Sequence, residues 1–169
     1  SPEFYGCKPP HLPLAARPDV LVFQTDQLTE DVEVTGPISV NLWISSSAVD
    51  TDFTAKLLDV YRPSPDYPEG YALNLTDGIL RAKFRDSWEK PKLMQPEQVY
   101  SVTIQLLPTS NLFAQGHRVR LDISSSNFPR FDVNGNTGEN PGTSPVKITA
   151  QNTVHHSPDH PSHVVLPLI

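Results

Sequence analysis

The stretch SSSNFPRFDVNGNTG, residues 124–138, gathers hydroxyls, amides, one arginine and one aspartate within fifteen positions. Ser124, Ser125 and Ser126 stand close in sequence to His117 and Asp122, which supplies the residue types of a nucleophile, a base and an orienting acid. Acyl transfer needs those three groups to converge. A period-two strand does the opposite, because it sends neighbouring residues to opposite faces. An α/β-type serine hydrolase also needs Gly-x-Ser-x-Gly, where small flanking residues permit a sharp strand-to-helix turn. The chain contains no such pentapeptide. No catalytic residue is therefore expected in it.

Metal chemistry is the next possibility. Asp132 to Gly138 alternates carboxylate and amide oxygens like the first half of a calcium loop, but the sixth and twelfth positions, Gly and Glu in an EF-hand, are Thr137 and Thr143. Asn and Asp also close turns through their own side chains, and a structural turn is the expected reading. The segment HHSPDHPSH holds His155, His156, His160 and His163 around Asp159, but Pro158 and Pro161 bracket a turn, so a polar connection between strands is expected rather than a ligand set. Asp50 and Asp52 of DTDF share one side of an extended segment; without a cleft they cap turns or meet a cation. No metal or cofactor is expected.

The elements that must position these groups are strands. Ile38, Val40, Leu42 and Ile44 alternate with Ser39, Asn41, Trp43 and Ser45, and similar alternation recurs over Tyr100–Leu106, Val119–Ile123 and Val146–Ala150. Weaker strand patterns cover Val20–Gln24, Phe53–Tyr61, Tyr71–Leu75, Ile79–Arg85 and Val164–Leu166. Short helical turns are expected at Pro9–Leu14, Ser87–Leu93 and Ser110–Gln115, with prolines limiting their length. Many strands without crossover helices predict an all-β antiparallel sandwich or jelly roll of one domain. Ser1–Phe4 reads as a cloning scar, leaving residues 5–169 as the domain.

Eighteen prolines, 37% hydrophobic residues and a net charge of -6 describe a globular chain broken by turns, with no basic stripe to track nucleic acid. No run of about 18 apolar residues suggests a membrane span. The single Cys7 excludes an internal disulfide and thiolate zinc clusters and points to a cytoplasmic setting.

Four stretches carry a resemblance: SSSAVDTDFTAKLLDV (45–60), LNLTDGILRAKFR (73–85), TSNLFAQGHRVRLDISSSNFPRFD (109–132) and HPSHVVLPLI (160–169). Together they resemble the C-terminal domain of the X-prolyl dipeptidyl-peptidase and cocaine-esterase group of serine hydrolases, which includes α-amino-acid ester hydrolases and glutaryl acylases. The likeness runs from about Arg17 to Ile169. It implies a non-catalytic, galactose-binding-like jelly roll that packs on an upstream α/β-hydrolase domain with a helical cap and helps wall its cleft. The triad of such enzymes lies upstream, which accounts for the absent pentapeptide here.

The resemblance places the interdomain face at Asn127, Phe128, Arg130, Phe131, Asp132 and Asn136, with Asp50, Asp52 and Phe53 as further candidates. Phe128 and Phe131 offer apolar area, while Arg130 and Asp132 can pair with each other or across the boundary. The family's sandwich begins some tens of residues earlier, so early strands are expected to be missing, with self-association through open edges as the result. The alternative is a carbohydrate-binding module, for which Trp43, Trp88, Tyr67 and Tyr71 would have to be exposed and coplanar.

Overall fold

The computed structural model describes residues 16–140 and 145–169. The expected cloning scar and the expected turn at Pro9–Leu14 lie outside them. Among the described residues nine strands follow in order: β1 (Leu21–Gln24), β2 (Val32–Ser46), β3 (Asp52–Tyr61), β4 (Tyr71–Arg81), β5 (Tyr100–Phe113), β6 (Arg118–Ser124), β7 (Asn152–Ser157), β8 (His160–Pro161) and β9 (His163–Val165). One sheet runs β1-β6-β3-β4 and the other β5-β2-β7-β8, with β9 also on β2. All the pairings are antiparallel. This is the expected β-sandwich.

The period-two pattern decides which residues enter it. Ile38, Val40, Leu42 and Ile44 of β2 meet Phe53, Ala55 and Leu57 of β3 and Leu121 and Ile123 of β6 in a single buried cluster. β2 carries most of its sheet, and a bulge interrupts its ladder with β5 between Gly36 and Ile38. Pro37 sits in that bulge, where its missing N–H costs no ladder bond. At Gly36 the backbone takes φ +136°, in the region that favours glycine, and Pro167 packs against it.

Several elements depart from expectation. Tyr71–Leu75 and Ile79–Arg85 are one strand, β4, followed by a 3₁₀ turn over Ala82–Phe84. Gly78 is not a break in that strand but a point where β4 presses directly on β5. Residues 146–150 form no strand: Ile148 N–H donates to the Gly135 carbonyl and Asn136 Nδ2 donates to the Ile148 carbonyl, so this backbone is spent on a loop instead of a ladder. Val146 and Ile148 are accordingly exposed. The histidine segment is no mere connection. It runs through β7, β8 and β9, with His155 opposite Trp43 and His163 opposite Asn41. The expected turn at Ser110–Gln115 is mostly β5, and Ser87–Leu93 forms bends without a helix.

Candidate functional site

Antiparallel topology brings three connections to one end of the sandwich: residues 47–51 between β2 and β3, 82–99 between β4 and β5, and, between β6 and β7, the described residues 125–140 and 145–151. Beneath them lies a buried ionic base. Asp50 is 0% and Lys83 is 3% exposed. Asp50 Oδ1 accepts the Lys83 backbone N–H at 2.9 Å, and the Lys83 ammonium stands 3.9 Å from Asp50 Oδ2. That ammonium donates to the carbonyls of Gly138 and Glu139 at 3.0 and 3.1 Å and approaches Asn140 Oδ1 at 3.4 Å. Arg81 holds Asp52 through two bonds of 2.9 Å, which raises the Arg81 pKa. Asn134 closes the base, its Nδ2 donating to Asp50 Oδ2 at 3.2 Å and Asp52 Oδ1 at 2.8 Å. Its Oδ1 accepts the N–H of Asn136, which adopts φ +63°.

DTDF and DVNGNTG thus form one clasp that ties the loop to the sandwich. Asp50, Asp52 and Phe53 are buried within the chain, Phe53 in the apolar core. They support the loop end and present no surface, a correction to their expected outward role. The two aspartates are held by Lys83, Arg81 and Asn134, and Lys83 also takes the Gly138 carbonyl of the calcium-like stretch.

Burial raises the Asp50 pKa, outweighing the bonds from Lys83 and Asn134 that lower it. The folded chain therefore binds this proton more tightly than the unfolded chain. The contribution favours the fold at acid pH and is lost as pH rises from the ordinary aspartate range through the raised one. We expect Asp50→Asn to flatten the decline in stability that sets in as pH rises above the ordinary aspartate range, relative to the parent chain. Urea unfolding across that window is the measurement, and parallel curves for the two proteins would refute it.

Residues 125–131 fold over β4 next to this base. Asn127 Nδ2 donates to Asp77 Oδ2 at 2.7 Å. Arg130 Nη1 lies 2.6 Å from Asp77 Oδ1 but off the hydrogen-bonding direction, making an ion pair without a directed bond. Arg130 therefore pairs with Asp77, a partner that neither of the two alternatives for Arg130 and Asp132 had named. Its guanidinium stands 5.6 Å from the Phe131 ring centre. Phe131 is half-buried and Asp132 exposed. Phe128 is 69% exposed, and on the neighbouring connection Trp88 is 75% exposed.

The serines have structural partners. Ser124 Oγ lies 2.7 Å from Thr54 Oγ1 and donates to the Ser126 carbonyl, while Asn152 Nδ2 donates to Ser125 Oγ at 2.7 Å. His117 is near the other end of β6, its Nδ1 2.9 Å from the buried Asp59 Oδ1. Asn111 of the facing sheet also reaches Asp59. Asp122 is held by Arg120 through two bonds of 2.7 Å. The triad residue types are thus divided among three separate contacts. Among the described residues, no three His, Cys, Asp or Glu side chains group as metal ligands.

The aromatic candidates for sugar stacking are dispersed. Trp43 is half-buried with its ring edge-on to His160 at 4.9 Å. Trp88 lies over Phe84, and Tyr67 faces Tyr71 at 5.0 Å. Lys83, Arg81, Asp77 and Asn134 are the residues that sequence reasoning missed at this end. RAKF and NGN read locally as a solvated strand end and a turn, and only the fold brings them to the same two aspartates.

Comparison with known proteins agrees with this arrangement. Residues 8–165 match the family described as the X-Pro dipeptidyl-peptidase C-terminal non-catalytic domain. The chain is 48% identical over 159 residues to cocaine esterase of Rhodococcus sp. (strain MB1 Bresler), covering 93% of this chain and 27% of that protein. A solved α-amino acid ester hydrolase superposes with TM-score 0.86 at 35% identity, covering 92% of this chain and 26% of the other. An aminopeptidase from the marine sediment archaeon Thaumarchaeota archaeon gives TM-score 0.86 at 31% identity with the same coverage. The chain thus spans about a quarter of the length of these relatives. A two-sheet sandwich whose hydroxyls and histidine are committed to structural bonds belongs, by fold and by sequence, to the non-catalytic C-terminal domain family of X-Pro dipeptidyl-peptidases.

Proposed function

We propose that the loop end of the sandwich docks on an upstream α/β-hydrolase domain and its helical cap and helps wall the substrate cleft of a serine ester or amide hydrolase. The observation that carries this reading is the pairing of exposed Phe128 and Trp88 with a rigid, ion-clasped base. Large aromatic side chains standing in water on a preorganised support are what interface hot spots are made from. Asn127, Arg130, Phe131, Asp132 and Asn136 supply the polar and aromatic surroundings of that contact. In the parent enzyme, Phe128→Ser combined with Trp88→Ser is expected to lower kcat/KM on an ester substrate by about tenfold, equivalent to about 1.4 kcal/mol of lost transition-state stabilisation. An unchanged kcat/KM together with an unchanged melting temperature of the parent would sink the reading. The isolated chain is expected to leave p-nitrophenyl acetate unhydrolysed above background.

The isolated chain is further proposed to self-associate through β1. All four residues of LVFQ are exposed although three are apolar, and β1 is an edge strand. Beside it an apolar gap of about 400 Å³ opens between the sheets, lined by Phe23, Leu42, Leu57, Leu121, Val154 and Val164 among others. Open apolar edges pair with one another unless a charge blocks them. Light scattering is expected to show dimers for the parent chain and monomers for Val22→Lys; a parent chain that stays monomeric at high concentration would exclude this.

A further inference from the structure

We propose that Asn134 is a site of spontaneous deamidation, gated by the clasp that holds it, and that its conversion unfastens the loop at residues 132–140 in one direction only. Asn134-Gly135 is the one Asn-Gly dipeptide in the chain. Glycine after asparagine leaves the backbone nitrogen open to attack the side-chain carbonyl, because no Cβ crowds the approach. In that step the Gly135 nitrogen forms a bond to Asn134 Cγ, the Cγ–Nδ2 bond breaks, and ammonia leaves with the proton from the Gly135 N–H. Water then opens the resulting succinimide at either carbonyl, yielding aspartate or isoaspartate. No oxidant or enzyme is required. Among the described residues no acceptor takes the Gly135 N–H, while its carbonyl is fixed by Ile148.

The closed loop restrains the reaction. Three hydrogen bonds hold the Asn134 amide, two to the aspartates and one from Asn136 N–H, so Cγ cannot turn toward Gly135 until they part. The rate then follows the open fraction of the loop. Closure after conversion is blocked by charge. A carboxylate at 134 would replace the Nδ2 that stands 3.2 Å from Asp50 Oδ2 and 2.8 Å from Asp52 Oδ1, exchanging two donors for like-charge contacts. Three acids would then share Arg81 and Lys83. If the loop end is the docking face proposed above, ageing at Asn134 also loosens the domain from its parent, but the chemistry stands without that reading.

The test is peptide mapping by mass spectrometry of the chain aged at mildly alkaline pH, with fragmentation that distinguishes aspartate from isoaspartate. Conversion at Asn134 is expected to outpace that at Asn127, Asn136 and Asn152, and to rise by about tenfold or more in Lys83→Met, whose loop opens more often. Sub-denaturing urea on the parent chain replaces that variant if it fails to fold, and should accelerate Asn134 in the same way. Conversion no faster at Asn134 than at the other three, or a rate indifferent to both Lys83→Met and urea, would overturn the proposal. Activity of the parent enzyme carrying Asn134→Asp reads the docking consequence alone.

Discussion

Replacing Lys83 by methionine is expected to destabilise the chain by about 3–5 kcal/mol at neutral pH, the range seen when one partner of a buried ion pair is removed. Methionine matches the aliphatic stem and leaves packing nearly intact, so the loss is electrostatic. It strands the Asp50 carboxylate without its buried cation and leaves the carbonyls of Gly138 and Glu139 without the ammonium N–H donors. For a chain of this size the melting temperature should fall by roughly 10 °C or more. The loss should shrink at acid pH, where Asp50 takes up a proton and no longer needs a cation. Calorimetry at neutral and acid pH separates this from a packing defect, which would cost the same at both. A pH-independent loss, or one below about 1 kcal/mol, would show that the ammonium contributes little to the clasp.

Gly78→Ala is expected to cost on the order of 3 kcal/mol, at the upper end for an overpacked core. An added Cβ would stand 2.6 Å from the Gln105 carbonyl oxygen, 2.9 Å from Leu106 Cδ2 and 3.2 Å from Ile104 Cγ2. A side chain can turn aside, but the Gln105 carbonyl belongs to the backbone of β5. β4 and β5 lie on different sheets, so relief requires the sheets to part at this point. Urea denaturation checks the prediction, and a change within about 0.5 kcal/mol would mean that the contact relaxes freely.

These two residues show what could and could not be read in advance. The alternation at Ile38–Ile44 needs only one strand and one buried face, and its inward residues are the buried ones. Gly78 and Lys83 act through partners distant in sequence. Gly78 reads locally as a strand break, yet its meaning comes from Gln105. Lys83 in RAKF reads as a solvated cation, yet its partners are Asp50 and the carbonyls at 138 and 139. Val146 and Ile148 fail for the converse reason: their alternation is real, but the backbone of Ile148 bonds to the turn at Gly135 and Asn136. The loop end bearing Phe128 was marked out by the family resemblance, through its motif SSSNFPRFD. Its buried support was not.

β2 has a consequence for synthesis of the chain. It is bound on one side by β5 and on the other by β7 and β9, and Val34 bridges to Leu168. Trp43 must therefore wait for His155, and Asn41 for His163, before that flank of the sheet can close. A nascent chain that has left the ribosome as far as Ser124 holds the β1-β6-β3-β4 sheet but only the β2-β5 part of the other, with Leu42 and Ile44 on a half-finished face. At a translation rate of about 5–20 residues per second, that state lasts for seconds, during which it is a target for chaperones.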